Sequence, residues 1–79
     1  MATLVKNESQ KNAFAHILSI CKENRQATRL QIMFHTYLSD HQCKEYLYIM
    51  VKNGLLDYSN ETKVYSITHE GLRLLEAAR

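Results

Sequence analysis

Proline is absent from these 79 residues, and glycine and cysteine occur twice each, as Gly54 and Gly71 and as Cys21 and Cys43. Without proline, the limits of helices have to be found from capping residues and glycine alone. Neither glycine lies in a loop of the kind that cradles a phosphate, which removes the common nucleotide-binding motifs. Two cysteines make no disulfide framework. Both fall on apolar stripes, where a free thiol packs as a small hydrophobe. They are read as buried free thiols, with a bridge between their two helices as the alternative. The two aspartates, Asp40 and Asp57, have no paired spacing for acid–base work. No apolar run approaches the ~18 residues of a membrane span, and no signal peptide is visible. The expected compartment is the cytoplasm, with no membrane partner. His35, His41 and Cys43 lie close in sequence, but on one helix Cys43 points inward and His41 outward, so they cannot share a metal. His16 is read as a partly buried neutral residue. Neither metal, cofactor nor catalysis is expected.

What remains is one small domain over residues 1–79, with 46% hydrophobic and 23% charged residues and a net charge of +2. A chain of this length has a modest core. The mild positive charge permits nucleic-acid binding without demanding it. It is unevenly placed. Arg25, Arg29, Lys44 and Lys52 stand against Asp40 and Glu45 in residues 25–54, whereas residues 55–67 hold Asp57 and Glu61 against Lys63.

Residues 1–8 are expected to be frayed or to add a short strand. From Ser9 to Glu23, Phe14, Ile17, Leu18 and Cys21 follow the spacing of an amphipathic helix, with Ile20 off the stripe. KENRQAT (22–28) is a polar connector ending in Thr28, a candidate N-cap. A short helix over 29–36 is expected to bury Leu30, Met33 and Phe34, with Tyr37 and Leu38 at the following turn. Ser39 and Gln42 then have capping-box spacing, and Gly54 after Lys52 and Asn53 is a stop signal. Between them Cys43, Tyr46, Leu47, Met50 and Val51 form an inward stripe. His41, Lys44, Glu45, Tyr48 and Lys52 form the polar face opposite, and Ile49 falls on the exposed side. LLDY (55–58) and KVYSI (63–67) read as a hairpin across a four-residue polar linker. Thr68 caps a last helix whose apolar side is Leu72, Leu74, Leu75 and Ala78.

Helix, helix–turn–helix, hairpin, helix is an α+β order: a three-helix core followed by a β-hairpin wing and a C-terminal helix. Beyond that order, IMFHTYLS, Gln42, YL at 46–47, NGLL at 53–56, YSIT at 65–68, Gly71 and LLE at 74–76 resemble one family. It is the small archaeal winged-helix (winged helix-turn-helix) family of predicted transcriptional regulators, whose members also occur on archaeal viruses and plasmids. The resemblance covers residues 13–78. It implies the winged-helix fold and double-stranded DNA as partner. Similar sequences carry a Thr-Arg pair where this chain has Leu30-Gln31, and Thr28 and Arg29 are the expected replacements for that phosphate contact. Many relatives run on into a long coiled-coil helix. Here a monomer is expected ahead of a weak homodimer formed through the first helix and Ile20.

In that frame the 39–53 helix is the recognition helix, offering Ser39, His41, Gln42, Lys44, Glu45 and Tyr48 to base edges. Glutamine can bond adenine through two atoms, and lysine can reach guanine N7 and O6. Arg25, Thr28, Arg29, Lys52, Asn60 and Lys63 are the candidate backbone or wing contacts, which position without reading sequence. A polar helix face by itself is ordinarily only solvated; the surrounding helix–turn–helix makes the difference. The alternative is a winged helix used as a protein-interaction module, toward which Ile49 on the exposed side would point.

Overall fold

A computed structural model of the chain describes residues 8–77. The expectation for residues 1–7 lies outside the described residues, as does Ala78, and Glu8 already belongs to the first helix. The elements are α1 (Glu8–Asn24), β1 (Ala27–Thr28), α2 (Arg29–Thr36), α3 (Asp40–Lys52), β2 (Leu56–Ser59), β3 (Val64–Ile67) and α4 (His69–Ala77). The expected order is present, with one addition. The polar connector ends in a two-residue strand, and β1 pairs antiparallel with β3, making a three-stranded sheet of order β1-β3-β2. Ala27 is buried there, which a purely polar connector would not require.

Each helix boundary has a local cause. Thr28 and Gln31 form a capping box on α2: the Gln31 N–H donates to Thr28 Oγ1 at 3.1 Å, and the Thr28 N–H donates to Gln31 Oε1 at 2.8 Å. Ser39 and Gln42 repeat it on α3, at 3.1 and 3.2 Å. At the other end of α3, the Gly54 N–H donates to the Val51 carbonyl and the Leu55 N–H to the Met50 carbonyl, with Gly54 at φ 77°. That is the paired closure of a Schellman motif, and it turns the chain from helix into hairpin. The Thr68 hydroxyl accepts from the Gly71 N–H at 2.9 Å and donates to the Gly54 carbonyl at 2.6 Å, so the cap of α4 is tied to the end of α3.

The core gathers Phe14, Ile17, Leu18, Ile20 and Cys21 of α1 with Ile32, then Cys43, Leu47 and Met50 of α3, then Leu55, Leu56 and Leu75. Cys21 and Cys43 are buried free thiols, so the bridged alternative is set aside. Burial pushes the Cys21 thiol from 9.0 up to about 11. It also raises Cys43, with Asp40 adding to the rise and Arg29 opposing it.

Several inward assignments are corrected. Ile20 is 7% exposed and sits in the core, not off the stripe. His16 is exposed, not partly buried. Ile49 is partly buried against the core and does not project freely. On α4, Leu74 is 41% exposed while Leu75 turns inward.

The largest correction is α2, where Leu30, Phe34 and Tyr37 are 69%, 77% and 93% exposed and Ile32 is fully buried. Two stripes one residue apart fit this short helix: 30, 33, 34, 37 and 29, 32, 33, 36. Pairing of β1 with β3 and the Thr28 cap set the phase that turns Ile32 inward. Thr36 tolerates the inward side because its hydroxyl donates to the Ile32 carbonyl at 2.7 Å. Tyr37 closes the helix in the left-handed region at φ 60°, its N–H donating to the Met33 carbonyl at 3.0 Å.

Two glycine-related substitutions should therefore move stability in opposite directions. A Cβ on Gly71 would lie 2.2 Å from the backbone oxygen of Leu55, so Gly71→Ala should cost about 2–4 kcal/mol through overpacking against a group that cannot rotate away. Tyr37→Gly should stabilise by about 0.5–1 kcal/mol, because a side chain in the left-handed region is disfavoured and Tyr37 packs on almost nothing. Urea denaturation of both variants checks the pair.

The thiols give a pH dependence. A thiol raised by burial keeps its proton in the native state while the unfolded chain releases it. Its stabilising contribution is complete below pH 9 and is lost as pH rises toward about 11. For Cys21 the loss should be about 2–3 kcal/mol across that window. In urea melts at stepped pH, Cys21→Ala should show a shallower alkaline decline than the parent chain.

Candidate nucleic-acid interface

The exposed side of α3 is fixed by its buried side. With Cys43, Leu47 and Met50 turned into the core, helical geometry turns His41, Lys44, Glu45, Tyr48 and Lys52 outward, and all five are exposed. Lys52 Nζ lies 5.7 Å from the centroid of the Tyr48 ring, so the far end of this face carries a cation over an aromatic.

Beside that face an open cleft of about 350 Å³ separates α3 from the hairpin, lined by Arg29, Lys44, Leu47, Tyr48, Val51, Tyr58 and Tyr65. The hairpin register places Tyr58 opposite Tyr65, with ring centroids 4.7 Å apart. Burial, with the neighbouring Tyr58, pushes the Tyr65 phenol up. Two cationic side chains, the exposed Tyr48 and Tyr58 and the half-buried Tyr65 around one apolar floor suit a phosphodiester chain, whose oxygens take the donors while its sugars lie on the rings.

The two cations are not free. Arg29 Nη1 pairs with Asp40 Oδ1, and Lys44 Nζ lies 3.4 Å from Asp40 Oδ2. Asp40 thus joins the start of α2 to the first turn of α3. The pairs are part-exposed, and such pairs contribute little to stability, on the order of 0.2–1 kcal/mol each. Their importance is for charge.

Of the residues singled out from the sequence, Arg29, Lys44, Tyr48 and Lys52 are brought together on α3 and its cleft. His41 and Glu45 are exposed on the same helix. Ser39 and Gln42 stand at its N-terminus but are engaged in the cap. A two-point adenine contact needs Gln42 Oε1 as acceptor, and that oxygen already accepts from the Ser39 N–H and hydroxyl. Thr28 is likewise occupied in its own cap. Asn60 and Lys63 share the hairpin turn: Lys63 Nζ donates to Asn60 Oδ1 at 3.3 Å, and Lys63 adopts φ 61°. Arg25 does not line the cleft and lies at φ 66° in the bend after α1. Sequence reasoning passed over Tyr58 and Tyr65, which line the cleft, and Asp40, which pairs with its two cations. A linker of Ser59 to Thr62 would set Tyr58 opposite Lys63; the turn instead takes Asn60 to Lys63, and that slip of one residue brings Tyr58 opposite Tyr65. Nothing in the sequence pattern pairs Asp40 with Arg29, eleven residues away.

A family model described as winged helix-turn-helix matches residues 8–79. No curated relative matches the chain. Among the described residues no group of three or more histidine, cysteine or acidic side chains is placed to hold a metal, and no helix is long and apolar enough to cross a membrane.

Because its carboxamide completes the α3 cap, Gln42→Ala should lower stability by about 1 kcal/mol, within the usual range for a lost cap. Thermal or urea melts of that variant test it. Unchanged stability would leave the carboxamide free for DNA.

Proposed function

The chain belongs to the winged helix-turn-helix family, and on that premise we propose that it is a sequence-specific double-stranded DNA-binding protein. In this reading it is a transcriptional regulator acting by occupying a promoter. The observation that carries the proposal is the joining of the exposed α3 face to the cleft that holds Arg29, Lys44 and three tyrosines. The family's fold is typically DNA-binding and non-enzymatic. α3 enters the major groove with His41, Lys44, Glu45 and Tyr48 toward base edges, as recognition helices do. Arg29, Lys52 and the tyrosine hydroxyls face phosphates, and Asn60 and Lys63 at the hairpin tip are wing contacts. Ser39, Gln42 and Thr28 act first as caps that set the two helices; the Gln42 amide N–H groups are left over for DNA, while Ser39 and Thr28 reach it only by giving up a cap hydrogen bond. Arg25 is an outlying phosphate contact. The resemblance described above supports an archaeal or archaeal-virus setting, and the proposed compartment is the cytoplasm.

A second reading, a module that binds another protein, is favoured by one observation. Leu30, Phe34 and Tyr37 stand one helical turn apart on the outer side of α2, all well exposed. Ile49 no longer supports it. The chain is proposed to act as a monomer. Ile20 is buried, so a weak homodimer would use this α2 stripe and not α1.

Binding isotherms on a selected duplex and on random DNA, at two salt concentrations, separate the readings. With roughly four to six phosphate contacts, affinity should fall with salt at a log–log slope of about −0.9 per contact. Lys44→Ala should cost about 1–3 kcal/mol on the selected duplex and much less on random DNA. Lys52→Ala should weaken both equally and reduce the slope by about one unit. A flat salt dependence would favour the protein-binding module.

A further inference from the structure

We propose that Asp40 sets the protein's discrimination against random DNA, by holding Arg29 and Lys44 in ion pairs that any DNA phosphate must break. The inference rests on the DNA-binding reading above. One carboxylate takes cations from two different helices, Oδ1 from Arg29 and Oδ2 from Lys44. It offers them what a phosphodiester offers, a single negative charge shared over two oxygens. Lys44 and Arg29 both line the cleft between α3 and the hairpin, so the carboxylate occupies the cations that a phosphate passing there would take. With Asp40 in place the group carries one net positive charge instead of two.

The arrangement is open to exchange. The side chains of Arg29, Asp40 and Lys44 are 37%, 53% and 61% exposed, so water and DNA oxygens reach all three. An exposed pair of this kind is weak and screened by salt, and a phosphate can displace it. Every phosphate meets the same competition. A guanine edge escapes it, because N7 and O6 are uncharged acceptors that Lys44, with three N–H donors, can bond while one of them stays on Asp40. Random DNA has no such escape at that position. Asp40 therefore lowers binding to random DNA more than binding to the selected site, and in doing so it widens the ratio between them. It also lowers the number of counterions released, since two of the available cations are already neutralised in part.

The test uses the full chain and Asp40→Asn, which keeps the side-chain shape and removes the charge. Binding is measured on a random duplex and on a duplex selected from a random pool by the parent chain, at low and at physiological salt. Elution from heparin is measured in parallel, and melting curves control for folding. For the variant, affinity for random DNA should rise about tenfold at low salt, with a salt slope steeper by about one. Affinity for the selected duplex should rise less, so the ratio falls. Elution from heparin should move to higher salt. In a background carrying Arg29→Ala and Lys44→Ala, Asp40→Asn should raise affinity for random DNA less, since only the carboxylate's own repulsion of phosphate is left to remove, and an equal rise there would overturn the proposal. Unchanged binding and slope in the single variant would overturn the proposal. So would loss of the selected duplex alone, since Asp40 would then contact a base. If the parent chain binds neither duplex, the DNA reading fails by itself. Heparin elution then decides whether Asp40 restrains the two cations: a shift supports that restraint and an unchanged position overturns it.

Discussion

Cys43, Leu47 and Met50 are at most 1% exposed, and the orientation of everything on the outside of α3 follows from their burial. A rotation of the helix by one residue step, about 100°, would carry Lys44 or Tyr48 toward the core in their place. Burial of a lysine without a partner is prohibitive in a domain of ordinary stability. The rotation is fixed from inside, and the two ends are fixed locally. Ser39 and Gln42 close one end, Gly54 closes the other, and Thr68 links that closure to α4. Gly71 completes the junction, since only a residue without a Cβ lets α4 come so near the Leu55 carbonyl.

The outer surface has a different economy of charge from its composition. A net charge of +2 looks weak for a DNA-binding protein. Arg29 and Lys44 lie together, however, where α2, α3 and the hairpin meet, and the tyrosines there supply donors without adding charge. Asp40 then moderates the two cations nearest the cleft. A surface that attracts phosphate only moderately leaves more of the selectivity to base contacts, because the sequence-independent share of binding is smaller. The moderate charge and the proposed selectivity are consistent with each other.

Most of the fold was legible because its signals are local. Ser39 with Gln42, Gly54 and the inward stripe of α3 all act within a few residues, and the structure follows each of them; the hairpin is where it was expected, with its turn one residue later. Thr28 also caps as its position suggested. The failures share a cause. α2 has eight residues, too few for periodicity to choose between two stripes one step apart, and the choice was made by β1, a two-residue strand paired with distant β3. A strand that short has no sequence pattern. Ile20 and Ile49 were misplaced for a related reason, because a small three-helix core wraps more than one side of each helix. At the interface, residue types were readable and their competing duties were not. Gln42 and Thr28 look like DNA ligands until their capping partners are seen, and Asp40 looks like a stray acid until Arg29 is found beside it.

The central claim is that the polar face of α3, together with the cleft toward the hairpin, is the surface that meets DNA. Backbone amide NMR shifts of the labelled chain, followed while a short duplex is added at low salt, test it most directly. The largest changes are expected along Asp40 to Lys52, at Arg29, and at Tyr58 and Tyr65, with the Leu30, Phe34 and Tyr37 side of α2 little affected. Changes centred on that α2 stripe and sparing Asp40 to Tyr48 would contradict it.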